Sequence, residues 1–379
     1  MKPTSCNYLS KAFLILEEIV GANAAQVTVD ELGLAMATNT GLKRDQNEDR
    51  LAAARITAPN TEMYTVAIVC DGVGGSESGD QAASLTVASI ISDLAHQQGR
   101  ISLSELAVTL VRRADDLVRN ELQGRGATTL VMILASANGH LVCANVGDSR
   151  VYSWNAISGT LDQITVDDTV ENELKNIPGN HDALINARGL QGRLSQAIGE
   201  SGRTADDLRV QIFTKEHFCN GAVMGSDGLW RAAKDFETIV ANSTTPINAV
   251  RRGIALANWV GGVDNASMIA VGDVERLCGG REAQVSVGQQ TGITLWSVLS
   301  KIKILTSDWT DKTKRVEPRV KQERQRKSVR KRSRKTKDQP QLKLESENSK
   351  DIRPKVEVTI SEEPEPIRGS QEDVKESKG

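Results

Sequence analysis

Histidine and paired cysteine are scarce in this 379-residue chain, and both shortages exclude chemistry. Its four histidines stand at no metal-type spacing and its five cysteines form no CxxC pair, so a zinc site is not expected. Cys6, Cys70, Cys143, Cys219 and Cys278 are odd in number, widely spaced and mostly set in apolar runs. That usage suits buried thiols in a reducing compartment rather than disulfides, and places the protein in the cytoplasm. No apolar window approaches the length of a membrane span. Lys2, Lys11, the run AFLIL and the small-residue ANA at 22–24 imitate an export signal, but Glu17 and Glu18 break its apolar stretch. An amphipathic helix or a frayed leader is the expectation there. No internal repeat occurs at solenoid spacing.

The length permits one large domain with appendages or two ordinary ones. A formal net charge of -2 conceals an asymmetry. Residues 1–310 carry 26 Lys/Arg against 35 Asp/Glu, and residues 311–379 carry 21 against 14. The body is acidic and the tail basic.

The most informative stretch is TVAIVC, Thr65 to Cys70, which breaks into DGVGG at Asp71 to Gly75. β-branched residues favour a buried strand, and the glycines let the backbone turn and approach a ligand closely. The construction recurs: NVGDSR sets Asp148 after LVCANV, GSDGLW sets Asp227 after GAVM, and DNAS sets Asp264 just before MIAV. With Asp49 in RDQNED, these acids at strand ends suggest convergence on one point. Several carboxylates buried together require a cation, because an unpaired buried ion costs several kcal/mol or more.

Between these motifs the chain alternates in character. Residues 27–37 read as extended. Gln81 to Gln97 carries apolar residues on one helical face, and Ser102 stands three before Glu105, a capping-box signature for the helix that follows. TTLVMILAS and HLVCANVG are β-rich runs joined across Ala137-Asn138-Gly139, a hairpin signal, and with RVYSW they predict an antiparallel meander with Asp148 at one corner. Residues 171–193 are polar, with Pro178, Gly179, Asn180, Gly189 and Gly192 scattered through them, a loop long enough to be functional or mobile. A strand is expected over 208–213, a helix over 245–260, and a closing strand in SMIAVGDV. Strands in runs with helices in pairs predict an α+β domain with antiparallel sheets.

Oxygen donors without His or Cys partners are hard ligands, which suit Mg²⁺ or Mn²⁺. Two such ions bridged by a water would activate it and clamp the oxygens of an in-line phosphoryl displacement. Arg44, five residues before Asp49, is the candidate for phosphate capture, because a guanidinium binds phosphate oxygens through a planar fork.

GLKRDQNED, AIVCDGVGG, GATTLVMI, CANVGDSRVY, LDQITVDDT, LSQAIG, GSDGLW and DNASMIAV stand in the order and approximate spacing of the PP2C (PPM) family of metal-dependent serine/threonine protein phosphatases. The resemblance covers about residues 27–274 and is strongest to the bacterial members. It implies a central β-sandwich of two antiparallel sheets flanked by helix pairs, with a binuclear Mn²⁺/Mg²⁺ site at one end. It further implies that Asp71 bridges the ions, that Gly72 ligates through its carbonyl, and that Asp227 and Asp264 hold one ion. Glu48 and Asp49 fall in the direct or water-mediated shell, Arg44 on the phosphate, and Asp148 where some members hold a third, weaker ion. Residues 171–193 fall at the family's variable flap. Two departures stand out. Val73 occupies a position where many eukaryotic members have a histidine that protonates the leaving oxygen, and ITVDDT replaces the commoner DHS-type segment. His181, on the flap, is a candidate proton donor in its place.

This reading divides the chain into an N-terminal extension (1–26), the phosphatase domain (27–276), a linker with a short amphipathic segment (277–310) and a basic, then acidic, disordered tail (311–379). Lys312 to Lys337 holds fourteen Lys/Arg against two acids and no aromatics. The tail could remain solvated, bind an acidic protein or nucleic acid, or, with LWSVLSKIKIL, lie on an anionic membrane surface as a peripheral anchor. Docking of that segment onto the domain is a further alternative. The expected substrates are phosphorylated proteins, opposite a Ser/Thr kinase, and the expected state is a monomer. The rival readings are a catalytically weak scaffold, supported by Val73, and a nucleic-acid-associated regulator acting through its tail.

Overall fold

The strands of this protein form two antiparallel sheets. A computed structural model describes residues 12–13, 16–17, 24–73, 78–175, 177, 185, 188–231, 233–279 and 292–305. The first sheet has the spatial order β1 (Ala24–Val29), β2 (Leu34–Asn39), β11 (Ala266–Val271), β10 (Gly221–Gly225), β7 (Arg150–Asn155) and β8 (Thr160–Gln163). The second runs β13 (Lys301–Leu305), β12 (Gly292–Trp296), β3 (Arg50–Thr57), β4 (Met63–Cys70), β5 (Leu130–Ser136), β6 (Leu141–Val146) and β9 (Gln211–Thr214).

The central strands β5, β6, β10 and β11 are buried along their whole length because both of their faces are covered, whereas the edge strands β1, β8 and β9 keep exposed positions. In β11, Ile269 and Val271 enter the core between the sheets, while Met268 and Ala270 enter a second core on the outer face. That outer core packs under α3 (Phe236–Ala241) and α4 (Pro246–Trp259). On the opposite side α1 (Gly79–Ala95) and α2 (Leu103–Leu122) lie together, α1 against β3 and β4. The α2 start carries the expected box, with Ser102 Oγ accepting from the Glu105 N–H and the Glu105 carboxylate accepting from the Ser102 N–H. The β-sandwich with helix pairs predicted from the sequence is therefore present.

Four local differences have clear causes. Residues 27–37 are not one extended run but the β1–β2 hairpin, turned through Gly33 at φ +63°. The meander breaks at its third strand: β5 and β6 pair across Gly139, but β7 belongs to the other sheet, so the Gly147-Asp148 corner is where the chain crosses the sandwich. The strand expected over 208–213 is shifted to β9. Finally, part of the segment assigned to a linker is strand. β12 pairs with β3 and β13 with β12, and Ile293, Leu295 and Trp296 are buried. LWSVLSKIKIL thus docks on the domain rather than standing apart as an amphipathic segment, because the exposed edge of β3 offers unpaired backbone groups that β12 satisfies.

At the N-terminus, Ala12 and Leu16 are helical and buried, and Glu17 accepts from Ser84 Oγ at 2.6 Å on α1. The basic run 312–337, the rest of the tail, Cys6 and His181 lie outside the described residues. Among the described residues no helix is long and apolar enough to cross a membrane.

Candidate active site

The acids singled out in the sequence meet at one end of the sandwich because several strands of both sheets stop there. Asp71 follows the last residue of β4, and its strand end is pinned by the β5 approach. Thr129 N–H and Thr128 Oγ1 both donate to the Asp71 carbonyl at 2.9 Å, and the Asp71 N–H donates to Thr129 Oγ1 at 3.1 Å. Thr128 and Thr129 therefore brace the site from within the sheet. Gly72 comes next and has no room for a side chain: a Cβ there would lie 2.6 Å from the Gly79 carbonyl carbon and 2.8 Å from the Glu48 oxygen. That close approach gathers the β4 end, the start of α1 and the RDQNED segment.

Asp227 opens a single 3₁₀ turn, Asp227–Leu229, just beyond β10. Trp230 anchors this turn, with its ring edge-on to Tyr152 and Phe236 at centroid distances of 6.2 and 6.1 Å. Asp264 directly precedes Asn265, whose side chain ties three backbone positions together. Asn265 Oδ1 accepts from the Glu48 N–H at 2.8 Å, and Nδ2 donates to the carbonyls of Thr40 and Gln46 at 2.9 Å. The acidic segment is thereby tied to the Asp264 strand. Asp148 is held at its corner through Asp168, which accepts from the Gly147 N–H at 2.9 Å and from Gln196 Nε2 at 2.7 Å. Asp168 lies in ITVDDT, so that departure supplies a scaffold for the Asp148 corner.

A cavity of about 370 Å³ opens at this end, and its lining includes Arg44, Asp71, Gly72, Asp148, Asp227 and Asp264. Glu48 and Asp49 are not part of that lining and lie behind it. Asp49 is fully enclosed, its Oδ2 accepting from Ser226 Oγ at 2.7 Å. Its Oδ1 has no hydrogen-bond partner among the described residues. Beneath it, the buried Arg50 donates to the Asn47 and Asp49 carbonyls at 2.8 and 2.9 Å and fixes the course of the segment.

Burial pushes the Asp49 carboxyl up to about 7, and the neighbouring Asp227 and Asp264 add to the shift. Asp71 is raised well above the usual carboxylate range by the same loss of water and by repulsion from Asp49, Asp227, Asp148 and Asp264. Asp148 rises to about 7 through burial and the Asp227 charge, against the opposing pull of Arg231. Burial also raises Glu48 and Asp227. A set of carboxyls that raise one another in this way is short of positive charge.

Three arginines supply part of it. Arg44 Nη2 donates to Asp264 Oδ2 at 2.9 Å, Arg231 Nη2 reaches Asp148 and Asp227, and Arg193 also lines the cavity. With these guanidiniums among the acids, no three His, Cys, Asp or Glu side chains form a ready-made ion-holding group among the described residues. The donor chemistry nonetheless fits a hard divalent ion: all oxygen, mutually repelling, with one buried carboxylate oxygen of Asp49 unpartnered. Arg193, Arg231, Glu200 and Asp168 escaped the sequence reading. Only Arg231 left a usable signal, a base four residues after the acid Asp227 on a predicted turn.

No family model matches the chain. Among curated proteins it is similar to the serine/threonine phosphatase Stp of Listeria monocytogenes, 28% identical over 248 residues, which cover 62% of this chain and 93% of that protein. It is similar also to the serine/threonine protein phosphatase PstP of Mycobacterium tuberculosis, 28% identical over 278 residues, covering 71% of this chain and 50% of that one. Among solved structures it shares the fold of Stp1 from Staphylococcus aureus, with a TM-score of 0.52 at 21% identity over 63% of this chain and 94% of that one. The PPM Ser-Thr phosphatase MsPP from Mycobacterium smegmatis gives a TM-score of 0.50 at 24% identity, over 63% and 97% of the two chains. Sandwich, ordered motifs and relatives agree: the chain is similar to the bacterial PP2C-type (PPM) serine/threonine phosphatases and shares their fold.

Proposed function

We propose that this protein is a Mn²⁺- or Mg²⁺-dependent phosphatase that hydrolyses phosphoserine and phosphothreonine on protein substrates, opposing a Ser/Thr kinase in the cytoplasm. The observation that carries this reading is the convergence of Asp71, Asp148, Asp227 and Asp264 on one arginine-lined cavity. The serine/threonine phosphatases named above support the substrate class.

In this reading Asp71, the Gly72 carbonyl, Asp227 and Asp264 hold two ions, with Glu48 and Asp49 supporting them from behind. When bound, the ion pair supplies a water of lowered pKa and neutralises charge on the phosphoryl oxygens. The chain's own residues do the rest. Arg44 is partly exposed, at 37% of its side chain, so its guanidinium can turn from Asp264 toward an incoming phosphate. Arg193, on the same wall, adds positive charge where the phosphate's negative charge must be accommodated. Thr128 and Thr129 keep Asp71 from moving as charge develops. Val73 lines the cavity and has no proton to give, so the leaving oxygen takes its proton from water or from another group.

Purified Asp71→Ala and Asp264→Ala proteins, folded by circular dichroism, are expected to lose Mn²⁺-dependent hydrolysis of a phosphothreonine peptide. Unchanged turnover in either would overturn the assignment.

A further inference from the structure

Arg231 changes what the Asp148 corner can hold. Its backbone N–H donates to the Asp227 carbonyl at 3.0 Å, which seats the residue at the end of the Asp227–Leu229 turn. From there Nη2 lies 2.8 Å from Asp148 Oδ2, 2.6 Å from Asp227 Oδ2 and 3.4 Å from the Gly192 carbonyl. The two carboxylates are the buried partners, 7% and 12% exposed, against 48% for the arginine. Gly192 lies close against the guanidinium, since a Cβ there would sit 3.1 Å from Nη1. A positive group, held by two carboxylates and the Gly192 carbonyl where Arg44 is held by one carboxylate, therefore stands where Asp148 and Asp227 would otherwise share a cation.

Asp148, Gly192 and Arg231 also line a second cavity, of about 570 Å³, that adjoins the first. The guanidinium stands in the partition between the two. A hydrated ion bound to Asp148 would have to enter that partition, displace the arginine and leave a like charge beside itself. An arginine cannot give up its charge to relieve the conflict, because it stays protonated at any working pH.

We propose that Arg231 is the built-in counter-cation of Asp148, so that this chain takes up two divalent ions and not the third, weaker one that some PP2C members hold there. Arg231 is a positioning residue in this account: it fixes Asp148 and closes that site without taking part in the displacement. The inference rests on the two-ion reading of the site above.

The test is ion stoichiometry rather than turnover: equilibrium dialysis with saturating Mn²⁺, metal counted per chain, on protein checked by circular dichroism. The wild type and Arg231→Lys are expected to bind the same number of ions, and Arg231→Ala one more. Adding Asp148→Asn to Arg231→Ala should remove the extra ion, whereas Asp148→Asn alone should leave the wild-type count unchanged. A folded Arg231→Ala protein with the wild-type count would overturn the proposal. So would loss of an ion from the single Asp148→Asn variant, which decides the matter even if Arg231→Ala fails to fold. No uptake by any form would instead sink the metal-dependent reading, and this proposal with it.

Discussion

Asp49 is fully enclosed, with one carboxylate oxygen on Ser226 and the other unpartnered. Folding without an ion raises its pKa from 3.8 to about 7, and Asp148 undergoes the same shift. A folded-state pKa above the unfolded value means that the native protein binds more protons between those limits. The stability these groups contribute is full below pH ~4 and is lost as pH rises through about 7. Chelator-treated protein should therefore unfold at progressively lower urea concentration as pH is raised across that window, and saturating Mn²⁺ should flatten the dependence. An unchanged slope with and without the ion would contradict this. Gly72 gives a second expectation at the same scale. Alanine there meets backbone of both Gly79 and Glu48, so Gly72→Ala should cost about 1–3 kcal/mol in urea denaturation. Because it also displaces the neighbouring Asp71, it should lower kcat by roughly a hundredfold. The acids were legible as residues because Asp and Gly at strand ends recur in order. Arg193 and Glu200 were not, since single charges in a polar loop carry no periodic signal that tells a cavity wall from a solvated face.

The β12–β13 hairpin shows where element-level reading fails and why. Leu295, Val298, Leu299, Ile302 and Leu305 fall at spacings of three and four, which match a helix face. Instead Leu295 lies in one five-residue strand, Ile302 and Leu305 in the next, and Val298 and Leu299 in the turn between them, where Ser297 Oγ accepts from the N–H groups of Leu299 and Ser300 at 3.2 and 3.0 Å. Runs this short do not distinguish the two periods, and the deciding factor, the unpaired edge of β3, lies more than two hundred residues away. β3 itself, RLAAARIT, went unread because alanine favours helices in isolation, whereas here Leu51 to Ala54 alternate between the two covered faces of the strand with no exposure. Helices fared better: the Ser102 box and the face of α2 are local features that needed no distant partner. If the hairpin is part of the folded unit, Leu295→Ala should destabilise the whole domain by roughly 2–5 kcal/mol, seen as a lower urea midpoint with an unchanged slope. A peripheral anchor segment would leave that midpoint where it is.

For the whole molecule, a sandwich with two cores supplies rigidity, and the strand ends supply a charged site that opposes folding until it is neutralised. Carboxyls from the ends of β4 and β10, the approach to β11 and the crossover corner are drawn together although each repels the others. The order of motifs in the sequence carried this architecture because sheet topology places their strand ends on one side. It did not reveal that Arg193 and Arg231 join Arg44 among the acids, which depends on side chains reaching across the cavity. The central claim is that divalent ions complete this site. Calorimetric titration of Mn²⁺ into metal-free protein near pH 7, in buffers of different ionisation enthalpy, tests it most directly. The account predicts uptake accompanied by proton release, because the raised carboxyls must deprotonate to bind an ion. A folded protein that takes up no Mn²⁺ or Mg²⁺, or binds it with no proton released, would contradict it.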